Sequence, residues 1–315
     1  MPADRRISGS AEATDGPVAY VGRFAPSPTG PLHFGSLLAA VASYAQARTQ
    51  GGRWLLRIED IDPPREPPGA DKLILDALRA FGFEWDGTVT YQSRFTPRHQ
   101  AMLEELLASG QAYPCSCSRR ELADAPRGPL GVIYPGTCRS GCASNDVAIR
   151  LRTHDEPIEF VDRLQGLFRQ RLESESGDFV IKRRDGLIAY NLAVVVDDAA
   201  QQVTEIVRGI DLLDSTPRHV YLQQLLGFST PDYAHIPIAV NQQGQKLSKL
   251  TGAEGLETDK PESLLFSALR ALSQKPPEEL ESAPLREQWD WLFANWRFDA
   301  LGGVRSVETD GRRFT

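Results

Sequence analysis

Apolar and polar positions alternate through "VAYVGRF" (Val18 to Phe24), which predicts a short strand, and "SLLAAVASYAQARTQGG" from Ser36 predicts a helix stopped by Gly51 and Gly52. "RWLLRIED" then predicts a second strand. Strand, helix and strand in this order form the parallel crossover unit, whose ligands sit beyond the carboxyl ends of the strands. The turn "APSPTGPLHFG" lies at such an end. It holds more turn-formers than chain reversal requires, which points to a backbone shaped around something small and anionic.

Helical spacing returns in "GADKLILDALRAFGF" and "RFTPRHQAMLEELLASGQ", with β-like "GTVTYQS" between them. From Ala112 to about Asn145 the pattern dissolves into Cys, Pro, Gly and Arg, as expected of an inserted module held by something other than a core. β-rich text is expected from Ala148 through "DFVIKRRDGLIAYNLAVVVDD", followed by the strand "VTEIVRG". "DSTPRHVYLQQLLG" predicts a helix capped by Ser215 or Thr216, with Pro217 in its first turn and Gly227 at its end. "HIPIAVNQQGQKLSK" predicts a hairpin turning near Gly244, whose far arm delivers two lysines. The tail beyond Thr251 is expected to be mainly helical.

At 315 residues, 41% hydrophobic and 24% charged, the chain has ordinary globular composition and room for one large core plus a smaller one. No apolar run approaches the roughly 18 residues of a membrane span. The first 17 residues are polar and small, so they predict a loose leader and not a secretory signal, and the cytoplasm is the expected compartment. A net charge of −7 supplies no global attraction for nucleic acid, so an RNA partner would have to meet a local basic patch.

Four groups carry candidate chemistry. His33 and Gly35 lie where the first turn enters a helix, whose N-terminus offers N–H groups and a positive dipole end to phosphate; a solvated turn histidine is the plainer reading. Lys246 and Lys249 in "KLSK" are spaced to neutralise charge developing on a triphosphate, although surface lysine pairs are common. In "RIEDID", Glu59, Asp60 and Asp62 follow a strand and could bind an ammonium group, a metal or a ribose hydroxyl, or simply cap a turn. Arg23 and Arg208 each end a predicted strand, where a guanidinium can clamp a carboxylate or pair with a local acid. The fourth group is Cys115, Cys117, Cys138 and Cys142 with Tyr134 among them, a spacing that favours a tetrahedral structural zinc over disulfides in a reducing compartment. The fourth ligand is open at this point; thiol preference nominates Cys142.

Taken in order, "RFAPSPTGPLHFGS", "LLRIEDID", "YQSR", "YNLAVVVDD", "VRGIDLLDSTPRHVYL" and "KLSK" resemble the catalytic core of a glutamyl-tRNA synthetase over roughly residues 20 to 255, with "HFG" and "KLSK" at the two signature motifs of class I aminoacyl-tRNA synthetases. Together with the "CxC…YxxxC" insert, a tail only about 65 residues long after "KLSKL" makes the chain similar to the glutamyl-queuosine tRNA(Asp) synthetases. Ser36 stands at the second histidine of the first signature, and Leu247 and Leu250 replace the usual Met and Ser of the second.

The resemblance implies an α/β fold: a Rossmann-like catalytic domain in two halves (18–112 and within 146–255), a zinc-binding insert at 113–145, a short helical region at 256–315 and no anticodon-binding domain. It implies tRNA-independent activation of L-glutamate by ATP and magnesium, then transfer to the queuosine base in the anticodon loop of tRNA(Asp). His33, Lys246 and Lys249 would be catalytic, and Gly35, Ser36 and Ser248 would join them around ATP. Arg23, Phe24, Ala25, Pro26, Ser27, Glu59, Tyr190 and Arg208 would hold glutamate, with Glu59 on the amino group. Cys115, Cys117, Tyr134 and Cys138 would hold one zinc ion, so here Tyr134 competes with Cys142. A monomer is expected. The alternatives are a conventional synthetase charging tRNA(Glu) and a non-catalytic glutamate- or RNA-binding module.

Overall fold

A computed structural model describes residues 19–142, 144–241, 245–246, 255–256 and 258–308. The chain opens with β1 (Val21–Phe24), α1 (Phe34–Thr49) and β2 (Arg53–Ile58), the crossover unit that the pattern predicts, with β1 and β2 parallel. Gly51, at φ +63°, turns the chain after α1. α2 (Ala70–Ala80), β3 (Thr90–Tyr91) and α3 (Thr96–Ala108) follow, and β3 adds parallel to β2.

β4 (Ala112–Cys115) leads into the cysteine-rich segment, where β5 (Arg127–Gly128) and β6 (Gly131–Val132) form a small hairpin. β7 (Ala148–Leu151), the long hairpin β8 (Pro157–Asp162) and β9 (Gly166–Arg171), α4 (Leu172–Glu175) and β10 (Val180–Lys182) come next. β10, β7 and β4 make one three-stranded sheet. α5 (Tyr190–Ala200), β11 (Glu205–Gly209), α6 (Thr216–Leu225) and β12 (Asp232–Ile236) complete the second crossover, and β11, β12, β8 and β9 lie in that order in one sheet. β13 (Ile238–Val240), α7 (Pro261–Ala271), α8 (Leu285–Asn295) and β14 (Ser306–Glu308) end the described chain.

The two halves meet through Thr204, whose N–H donates to the Val21 carbonyl at 2.9 Å and whose hydroxyl accepts from the Val21 N–H at 2.8 Å. This joins β1 to the start of β11 and brings the carboxyl ends of both strands to one cleft. α1 is apolar on nearly every side because its small residues pack between that sheet and the tail helices. Trp289 of α8 meets Tyr44 and Phe83 edge-on at 5.1 and 5.0 Å, and its indole N–H donates to the Phe81 carbonyl at 2.9 Å. The tail is therefore part of the main core.

Three local readings change. "YNLAVVVDD" is helix α5, because a continuous apolar run reads alike for a buried strand and a buried helix, and packing overrides the β preference of valine. Neither Ser215 nor Thr216 caps α6 through its side chain; both hydroxyls donate back to the Leu212 carbonyl, at 2.8 and 3.1 Å. The tail also contains β14, which pairs parallel with β13. The expected hairpin is seen where Val240 bridges antiparallel to Lys246, but Gly244 lies outside the described residues. No helix among the described residues is long and apolar enough to cross a membrane.

Candidate active site and metal centre

The carboxyl ends of β1, β2 and β11 open into a cavity of about 440 Å³. Its lining includes Arg23, Phe24, Ala25, Pro26 and Ser27 after β1, Glu59 after β2, Tyr190 at the start of α5 and Arg208 on β11. His33, Gly35 and Ser36 enter it from the first turn of α1, and Lys246 from the far arm of the hairpin. Residues quoted from five separate segments of the sequence thus share one wall. Ser248 and Lys249 lie outside the described residues.

His33 is the N-cap of α1, where its Nδ1 accepts the Ser36 N–H at 3.2 Å. That bond fixes the ring at the positive end of the helix, on the cavity wall. Lys246 Nζ donates to Asp211 at 2.7 Å across the mouth of the cavity.

The two arginines differ in partners. Arg23 donates to Asp198 at 3.2 and 3.5 Å, and Asp198 also accepts from the fully buried Arg57 at 2.7 Å. Arg57 donates in turn to Glu59 at 3.3 Å. Burial raises the Glu59 carboxyl above the ordinary range, against the pull of Arg57 and Arg23, so it is poised to gain from an incoming ammonium group. Arg208 is only 5% exposed, yet it forms no ion pair with an acid among the described residues. Its neighbours are two imidazoles, the Tyr190 and Thr216 hydroxyls and the Leu212 carbonyl. Since guanidinium only donates, His219 Nδ1 accepts from it at 3.3 Å and that ring's Nε2–H donates to Asn191 at 3.0 Å. Burial holds His219 well below its usual pKa, with Arg208 adding to the effect. A buried cation lined only by neutral groups is costly unless an anion completes it.

The cysteine-rich segment folds around a second centre. The sulfurs of Cys115, Cys117 and Cys138 lie within 4.8 Å of one another. The Tyr134 hydroxyl stands 3.3 Å from Cys115 Sγ and 3.5 Å from Cys117 Sγ, and accepts the Cys138 N–H at 2.8 Å. Cys142 packs against this cluster, but its sulfur is not one of the three close ones and its thiol stands 3.8 Å from the Ser144 carbonyl. The Tyr134 backbone bridges Gly177, where any Cβ would stand 2.2 Å from Tyr134 N; with φ at +65° as well, only glycine fits. Burial opposes ionisation of Cys138, yet hydrogen bonds from Tyr134 and Ser116 bring its thiol down to about 6. Three close thiols and a phenol, none in a disulfide, suit a thiophilic tetrahedral cation.

Comparison with known proteins places the fold in a family. The family model "tRNA synthetases class I (E and Q), catalytic domain" matches residues 20–131 and 136–281. A Glutamyl-Q tRNA(Asp) synthetase of Pseudomonas aeruginosa is 56% identical over 279 residues, covering 88% of this chain and 94% of that relative. The chain belongs to the glutamyl-Q tRNA(Asp) synthetase family. Another member, from Dechloromonas aromatica, is 52% identical over 90% of this chain and 95% of its own length. The family fold is shared with a glutamate tRNA ligase from Elizabethkingia meningosepticum, solved in complex with its amino acid: TM-score 0.78 at 23% identity, over 94% of this chain and 68% of that one.

Arg57, Asp198, His219, His235 and Asp211 also touch residues of the cavity wall, although no motif in the sequence marks their role. For Arg57 a signal existed: two positions before Glu59 on a strand, it faces the same side. Asp198 needed α5 to be a helix, which sets it two turns from Tyr190 on the same face. His235 carried no local signal, because its place is set by the parallel pairing of β12 with β11.

Proposed function

We propose that this chain activates L-glutamate with ATP, without needing tRNA, and transfers the glutamyl group to the queuosine base of tRNA(Asp). The observation that carries the reading is the buried Arg208, which forms no ion pair among the described residues and faces the same cavity as Glu59 and the His33-capped end of α1. Glutamate offers an ammonium group for Glu59 and carboxylates for Arg208 and Arg23. Glutamine would present a neutral amide to a buried guanidinium and leave that charge unmatched, which supports rejection of the amide.

A carboxylate is already nucleophilic, so the site has only to align it with the α-phosphate and stabilise charge passing to pyrophosphate. His33, Gly35 and Ser36 at the helix N-terminus would bind the phosphates, and Lys246, with Ser248 and Lys249 beyond the described residues, would close over them alongside magnesium. In the separate centre, Cys115, Cys117, Tyr134 and Cys138 would hold zinc as a structural ion. The names of the relatives support tRNA(Asp) as acceptor and the queuosine base as target. The reaction belongs in the cytoplasm, where ATP and tRNA are available.

Labelled glutamate should appear on tRNA(Asp) that carries queuosine, and neither on tRNA(Asp) lacking it nor on tRNA(Glu). Charging of tRNA(Glu) instead would return the chain to conventional synthetase activity.

A further inference from the structure

His235 lies directly across from Arg208 in the parallel pairing of β12 with β11, so the two side chains share a face of the sheet. Arg208 Nε stands 3.1 Å from His235 Nε2, and a guanidinium has no acceptor, so that ring nitrogen must carry the lone pair. The ring proton therefore sits on Nδ1, 2.5 Å from Asp162 Oδ2. Asp162 is fixed in turn, because its Oδ1 accepts the backbone N–H groups of Leu164, Gln165 and His235 at 3.0, 2.9 and 3.2 Å. His235 and Asp162 are 0% and 1% exposed, so water cannot rearrange the chain of bonds.

We propose that His235, oriented by Asp162, is a positioning residue: it aims the Arg208 guanidinium into the cavity through a neutral acceptor and so leaves its charge for the substrate carboxylate. A carboxylate at that place would fix the guanidinium equally well but would also neutralise it. The Asp162–His235 pair thus divides the work, the acid setting the tautomer from a distance and the imidazole touching the cation. This inference rests on the proposed use of glutamate by the cavity.

The test is Asp162→Asn, which keeps the oxygen held by three backbone amides while offering an amide donor to His235 Nδ1. The ring is then driven to the opposite tautomer, and Nε2–H faces the Nε–H of Arg208. Glutamate KM in pyrophosphate exchange should rise about tenfold, the effect of losing one buried hydrogen bond to a charge, with the KM for ATP unchanged. His235→Gln, which retains an acceptor, should stay near the parent value and should largely abolish the added effect of Asp162→Asn. Histidine 15N spectra of the substrate-free chain should show a neutral Nδ1–H ring in the parent and the other tautomer in Asp162→Asn. An Nε2–H ring in the parent, an unchanged glutamate KM in Asp162→Asn, or an equal cost of that change in the His235→Gln background would overturn the proposal. The spectra need no substrate, so a parent chain without exchange would count against the reaction and not against the orientation of the ring.

Discussion

Arg57 Nη2 stands 2.7 Å from Asp198 Oδ1, and both side chains are buried. The same oxygen accepts from Arg23, and Arg57 reaches on to Glu59, so a single buried carboxylate sets both an arginine and an acid of the cavity wall. Asp198→Asn should therefore act twice. Two buried guanidinium groups lose their shared counter-charge, which costs about 3 kcal/mol of stability as read by urea unfolding, and glutamate activation falls with it. A variant as stable as the parent would show that Glu59 alone suffices for both cations.

Arg208→Lys keeps a positive charge but replaces a five-donor fork by a point charge that cannot reach the same acceptors. Glutamate KM should rise by about 30-fold while ATP KM stays within a factor of two, consistent with a charged hydrogen-bond pair worth about 2 kcal/mol. Discrimination against glutamine should shrink in the same variant, because the unmatched charge is no longer held in place. Steady-state exchange with each amino acid reads both effects.

Acid should unfold the chain through the Asp162–His235 pair. Burial, with Arg208 nearby, lowers His235 to about 4 despite the opposing bond from Asp162. A folded pKa below the unfolded value means that the unfolded chain binds the extra proton first. Stability is full above about pH 6.5 and declines as pH falls toward 4, by up to about 3 kcal/mol from this ring. Burial works against ionisation of Asp162, yet the His235 bond keeps its carboxyl below the usual range, so its contribution is lost at still lower pH. Thermal melts between pH 7.5 and 4.5 should show the decline, and His235→Gln should lessen it, leaving the part contributed by His219, which burial also holds well below its usual pKa.

Metal analysis of the purified chain should find one zinc ion per chain. Cys138→Ser should lose it and loosen the segment from Cys115 to Cys142, whereas Cys142→Ser should keep it, since the Cys142 sulfur is not one of the three that lie within 4.8 Å of one another. Retention of zinc in Cys138→Ser together with loss in Cys142→Ser would exchange the two assignments.

Local text made the crossover unit around α1 legible, because turn-formers, apolar spacing and Gly51 all agree there. The cysteine cluster was legible as a set, and the resemblance named Tyr134 beside it, but the way the Tyr134 hydroxyl comes to stand among the thiols was not, because it depends on Gly177 of a distant segment admitting the Tyr134 backbone. "YNLAVVVDD" misled for the opposite reason: α5 is enclosed on all sides, so it has no polar face to give a helical period. The neutral surroundings of Arg208 were invisible, since His219 and His235 come from later elements that meet it only in the folded sheet.

The cavity is proposed as a glutamate-specific adenylate site that works without RNA. Exchange of labelled pyrophosphate into ATP, run with no RNA present and with glutamate, glutamine or aspartate in turn, tests it most directly. Exchange is expected with glutamate alone. Exchange that begins only when tRNA(Glu) is added, or that proceeds equally with glutamine, would contradict it.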